Sequence, residues 1–271
     1  MNPLDQLPLL AVLLLCIMLQ ISFIELGFRY GMSRRGGGYK AQMAQVRAIM
    51  GASLGLLAFM LAFSFNIAQQ HFEERSSAYM MEVSAIHSAL RSSALLDERA
   101  ESQARELLGQ FTRTRIATID ALKAADVEHV VDLIRESEQI HGSLWALATT
   151  SIEDASEDSN MGMFAQSVLA MIAAHEARLQ ASLFNRISAV IWATLVLMAV
   201  LAMVVMGYQA GLTGTRSGLA TWTLAITFAA VLTLITDLDR PRMTLFEVNQ
   251  QLMFELEARL SEGVAQEPGI K

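Results

Sequence analysis

Four apolar runs constrain this chain more than anything else in it: residues 7–28, 49–67, 189–208 and 219–235. Each is about 20 residues long, enough for an α-helix to cross roughly 30 Å of hydrocarbon. A short basic loop joins the first two and a short Gly/Thr loop the last two, and a polar segment, 69–186, separates the pairs. The order is helix pair, insert, helix pair. A multi-pass protein set in a lipid bilayer is expected, so any function must use a membrane, a pore or a signal across one.

The expected fold is all-α: four transmembrane helices in two pairs flanking an extramembrane helical bundle. Proline breaks helix interiors, and the four prolines, Pro3, Pro8, Pro241 and Pro268, leave residues 9–240 free of it. No period-2 pattern of useful length marks a strand. The domains expected are 1–68, the first helix pair with its basic loop 29–48; 69–187, a four-helix bundle; 188–237, the second helix pair; and 238–271, an amphipathic helix and tail. The first run lacks a basic n-region, carries Asp5 instead, and shows no small-residue cleavage site before Gly27, so it reads as a retained membrane helix. Cys16, the sole cysteine, reads as a small buried apolar residue.

Charge bears on partners and orientation. The segment 69–186 holds 18 Asp and Glu against 10 Lys and Arg, a net −8, which argues against a nucleic-acid partner. The loop after the first run contains Arg29, Arg34, Arg35, Lys40 and Arg47 and no acid, so the positive-inside rule places it in the cytoplasm, with insert and termini periplasmic or exterior. Arg75, Arg178, Arg186, Arg240 and Arg242 lie near membrane ends on the other side and favour the opposite orientation.

The insert reads as four helices. The first continues directly from the second membrane run, with Phe72, Tyr79, Val83, Ile86 and Leu90 at helical spacing. The second starts at Asp97. The third, capped by Asp126, carries Val127, Val130, Val131, Ile134 and Leu144 on one side, with Trp145 expected in the bundle core. After a loop over 149–160 the fourth runs into the third membrane helix, with no break visible at Asn185–Arg186. Movement in the insert would then be transmitted into the bilayer. Residues 243–260 have the periodicity of an amphipathic helix that could pack on the insert, lie on the membrane surface or meet a neighbouring subunit. Residues from Ser261 read as disordered.

Candidate functional residues follow from the same runs. Gly51 and Gly55 have the spacing that lets membrane helices approach closely. Phe59, Phe63 and Ile67 recur every four residues, with Asn66 and Gln70 beside them. Around the axis of a symmetric oligomer such a stripe makes a hydrophobic constriction; otherwise its rings face lipid or pack. Glu25 is the ionisable residue well inside an apolar run, and Arg29, four residues on, favours an ion pair at the boundary. Asp237, Asp239, Arg240 and Arg242 cluster where the fourth run leaves the membrane, as an interfacial anchor, an ion-conducting vestibule or a salt-bridged hinge. The five histidines, His71, His87, His129, His141 and His175, all fall in the insert, without metal-ligand spacing. No nucleophile elbow, P-loop or dinucleotide fingerprint is present, so neither an enzyme nor a cofactor is expected.

Several stretches together resemble the bestrophin-like family of bacterial membrane proteins: LAFSFNIA (62–69), HSALRSSALLDERAESQARELLGQF (87–111), HGSLWALA (141–148), NRISAVIW (185–192), MGYQAGLTG (206–214) and ITDLDRPRMTLFEVNQ (235–250). Ser188 and Ala189 stand where family members often have proline. The resemblance implies a distant relation to bestrophins, homopentameric ion channels with the same helix-pair, insert, helix-pair order. Their second membrane helix lines a neck of apolar and aromatic residues, to which Phe59, Phe63 and Ile67 would correspond. It also implies a cytosolic insert, against the charge of the 29–48 loop. DLDRPR is not the acidic run of the calcium-gated members, so calcium control is not implied.

Two functions follow. The first is a homo-oligomeric ion channel in a bacterial inner membrane, a pentamer being what the resemblance implies, with ions as permeant partners and a pore lined by the second membrane helix. Four helices are too few for most single-chain conduits, which is why a pore needs several copies. The second is a membrane sensor or scaffold whose bundle binds a ligand or a partner protein.

Overall fold

The computed structural model describes residues 7–34, 39–124, 126–154, 159–183, 185–215, 218–240 and 251–265. Every regular element among them is an α-helix: α1 (Leu9–Ser33), α2 (Tyr39–Ser93), α3 (Glu98–Ala124), α4 (Val127–Asp154), α5 (Ser159–Leu183), α6 (Ala189–Thr213), α7 (Gly218–Asp239) and α8 (Gln251–Ala265). Four of these, α1, α2, α6 and α7, are long and apolar enough to cross a membrane. The chain divides into two compact units. One comprises Met1–Phe72 with Arg186–Phe246, the other Glu73–Asn185 with Glu247–Lys271.

In the membrane unit α1 packs on α6 and α7. The α1–α6 seam is made of glycine. A Cβ on Gly27 would collide with Val204 O and come within 2.9 Å of Tyr208 N; one on Gly31 would collide with Tyr208 O. The partner helix answers in kind: a Cβ on Gly207 would meet Ile24 O, and one on Gly211 Phe28 O and Met32 N, the latter at 2.8 Å. Two Gly-x-x-x-Gly pairs thus interlock backbone against backbone. Elsewhere the core of this unit is larger side chains, including Leu57, Leu61, Leu195, Met203, Ile235 and Leu238. α6 ends on Gly214, whose φ of 70° is the left-handed cap glycine adopts without strain.

α2 is 55 residues long, about 80 Å at ~1.5 Å per residue, and passes unbroken from the membrane unit into the bundle. The other expected continuation does not form. α5 stops at Leu183 and α6 begins at Ala189. Ser188 caps α6, its side chain accepting from Val190 N, and Ile187 N–H donates to Asp239 Oδ1 at 2.7 Å instead of to a preceding helical turn. The break is made by a carboxylate 52 residues away, which local pattern does not reveal.

The bundle unit buries Tyr79, Ile86, Leu108, Phe111, Leu144, Phe164, Val168 and Met171. Asp126 caps α4 as expected, accepting from His129 N at 3.1 Å. Trp145 is not a core residue: Ile140, Leu144 and Ala148 hold the buried line of α4, while Trp145 is 39% exposed. Val127 and Val131 are likewise exposed, apart from Val130 and Leu133. α4 extends to Asp154, so most of the loop expected over 149–160 is helix or lies outside the described residues. Of the environments open to the C-terminal helix, α8 takes the bundle. It packs on α3, buries Met253, Leu256 and Leu260, and continues to Ala265, past the point where order was expected to end.

Candidate functional site

Within the membrane unit α2 presents two opposite stripes. Leu57, Leu61, Ser64 and Ala68 are buried. Phe59, Phe63, Asn66 and Gln70 are exposed, Phe59 at 65% and Phe63 at 50%. Both sets follow i, i+4, i+7, i+11, the spacing that holds one line along an α-helix. Strict four-residue steps drift by about 40° each, and Ile67, eight residues after Phe59, has turned far enough to pack partly on the core. The exposed face therefore runs from two phenyl rings to two side-chain amides, over about 16 Å of helix. Gly51 and Gly55 lie earlier on α2, and a Cβ on either would meet nothing within 4 Å. Within one chain they are open, and the close approach that their spacing allows falls to Gly27, Gly31, Gly207 and Gly211.

The charges at the helix ends separate into two kinds. Glu25 and Arg29 form the expected i,i+4 pair, Nε to Oε1 2.9 Å, with side chains 38% and 78% exposed. The group at the end of α7 turns inward. Asp237 is fully buried and Asp239 is 6% exposed, accepting from Ile187 N and, at 3.3 Å, from Trp192 Nε1. Arg240, 4% exposed, donates from Nη1 to Leu7 O at 2.8 Å. Asp239 and Arg240 thus tie the entry to α6 and the chain before α1 to the end of α7. Arg242 lies outside the described residues.

The bundle holds a constellation that the sequence did not disclose. Glu82, on the buried side of α2, is fully enclosed. Oε1 accepts from His175 Nδ1 at 2.8 Å and lies 3.1 Å from Arg115 Nε, an ion pair off the hydrogen-bond axis; Oε2 accepts from Arg178 Nη1. Burial alone would raise the Glu82 pKa, but Arg115, Arg178 and His175 outweigh it and hold it at about 2. His141 stands edge-on to His175 with ring centroids 4.8 Å apart, and Phe111 packs on both rings. Burial first, then His175, lowers the His141 pKa to about 4. Burial also lowers Arg115 to about 10, so it keeps its charge at neutral pH. Arg178 lies over the Tyr79 ring, and Tyr79 Oη accepts from Met253 N of α8. All five helical segments of the bundle meet around one carboxylate. The available signal was an acid inside an apolar stripe, Tyr79–Glu82–Val83–Ile86. Among the described residues no three His, Cys, Asp or Glu side chains gather as a metal site requires.

The family model for the bestrophin-like domain matches residues 21–249. Crystal structures of two single-residue variants of a bacterial bestrophin homologue from Klebsiella pneumoniae align with TM-scores of 0.56 and 0.55, each at 14% identity and each covering 95% of this chain and 99% of that one. At that identity the likeness is one of fold. Among curated proteins nothing matches.

Proposed function

The chain belongs to the bestrophin-like family, and from that premise we propose that it is a homo-oligomeric ion channel with a pore lined by α2. The observation that carries this is the exposed stripe Phe59, Phe63, Asn66 and Gln70, set opposite the stripe that α2 buries. Copies of the chain around an axis give that stripe a reason to exist. Two rings of phenylalanine form an apolar constriction, which gates by dewetting, and the amides beyond them rehydrate an ion that has passed. Gly51 and Gly55, open within one chain, leave room for a neighbouring subunit to approach. Phenyl rings and amides select no sign of charge.

Ion flux from liposomes holding the purified protein, run beside Phe63→Ala, tests this reading. A wider neck should conduct more, so faster flux in the variant is expected. Flux that Phe63→Ala leaves unchanged would remove α2 from the pore. Flux absent from both, with oligomer and orientation verified, favours the sensor or scaffold reading.

The proposed setting is a bacterial inner membrane, with Arg29, Arg34, Arg35, Lys40 and Arg47 on the cytoplasmic side and the bundle outside. Ser33→Cys in a Cys16→Ser background should then react with an impermeant maleimide only after cells are permeabilised; reaction in intact cells reverses the orientation.

A further inference from the structure

Beyond the membrane unit α2 borders a second feature that the channel reading does not use. Met80, Val83, Ser84, His87, Ser88 and Arg91 of α2 and Leu252 of α8 line a groove of about 380 Å³. That lies within the roughly 300–1,000 Å³ range of small-molecule pockets. Its chemistry runs against its surroundings. Segment 69–186 carries −8, yet among the described residues no carboxylate lines this groove.

Arg91 and Arg259 flank His87 from two helices. Arg259 has Glu255 one turn before it on α8, but reaches instead to His87, Nη1 to Nε2 3.3 Å. Among the described residues neither arginine makes an ion pair. A guanidinium only donates, so His87 Nε2 accepts and the imidazole is neutral, its proton on Nδ1. Burial, then Arg91 and Arg259, lower the His87 pKa and keep it so. The Arg91 guanidinium, the hydroxyls of Ser84 and Ser88, and an apolar wall of Met80, Val83 and Leu252 thus line one groove, and Arg259 reaches its His87.

We propose that this groove binds a small organic anion, a carboxylate with a short apolar body, its head between Arg91 and Arg259 and its body on Met80, Val83 and Leu252. Guanidinium groups match carboxylate geometry, and the apolar wall selects an amphiphile over an inorganic ion. The inference stands whether or not the protein conducts, because its test reads no current.

The test is photolabelling of the full chain in nanodiscs with a diazirine-bearing decanoate, mapped by mass spectrometry. The expected label falls on the peptides containing Met80, Val83 and Leu252 and is displaced by unlabelled decanoate. Arg91→Gln with Arg259→Gln should reduce it at least about tenfold, the size of a lost charge-assisted hydrogen bond. The matching decanol probe should label the membrane helices alike in both proteins and the groove in neither. Groove labelling that the alcohol equals, or that survives in the double variant, overturns the proposal. The unaltered protein supplies an independent check: exposed arginines are screened by salt, so labelling must weaken as sodium chloride rises, and labelling indifferent to salt also overturns it.

Discussion

Glu82 concentrates the bundle's sensitivity in one side chain. A carboxylate with no solvent access is tolerated because Arg115, Arg178 and His175 surround it. Glu82→Gln leaves two buried guanidiniums facing a neutral amide, and breaking such a group costs about 3–5 kcal/mol. Acid should act in the same direction as Glu82→Gln. His141 takes up its proton near pH 6.5 when unfolded but only near 4 when folded, so its contribution is intact above 6.5 and is lost as pH falls toward 4. Glu82, held at about 2 against 4.5 for a free carboxyl, adds a further loss between those values. Thermal unfolding of both proteins from pH 7 down to about pH 2, through both windows, checks this. A steep decline is expected for the unaltered chain and a lower starting point for Glu82→Gln; a flat profile contradicts the ionisation states assigned here. None of these partners was legible in the sequence, because they lie 33 to 96 residues from Glu82 and only the folded bundle brings them together.

At the level of elements, hydropathy made the membrane helices readable, and period and caps did the same for those of the bundle. The capping Asp126 and the Glu25–Arg29 pair were readable too, since each is decided within one turn. The junction at 185–188 was not, because Asp239 captures the Ile187 amide from another helix. The glycine seam shows a subtler limit. Gly-x-x-x-Gly spacing occurs at Gly27 and Gly31, at Gly51 and Gly55, and at Gly207 and Gly211. Spacing alone does not say which pair finds a backbone opposite. The structure gives a direct contrast. Gly207→Leu places a side chain where Ile24 carbonyl atoms already sit and should abolish or severely lower the yield of folded protein. Gly51→Ala enters open space within the chain and should leave the fold intact, with a helix-propensity gain of about 0.5–1 kcal/mol. Detergent-solubilised yield and melting temperature of the two variants decide it; equal behaviour would mean the seam is not where α1 and α6 are held.

For the whole molecule the open question is what the exposed face of α2 meets. Cys16 is the sole cysteine, so Cys16→Ser gives a clean background for Phe63→Cys. If copies of α2 surround an axis, mild oxidation should give disulfide-linked dimers between subunits. Monomer alone, from a preparation that is oligomeric by native mass spectrometry, would place Phe63 against lipid. The two surfaces concerned differ in what they permit over evolutionary time. Where α1 and α6 meet, backbone lies on backbone, and even one added methyl group has nowhere to go. On α2, the rings of Phe59 and Phe63 project from a helix that rests on its opposite side. Related chains should therefore be free to exchange those rings for other residues, altering the task without disturbing the scaffold, while the four glycines of the seam admit no substitute.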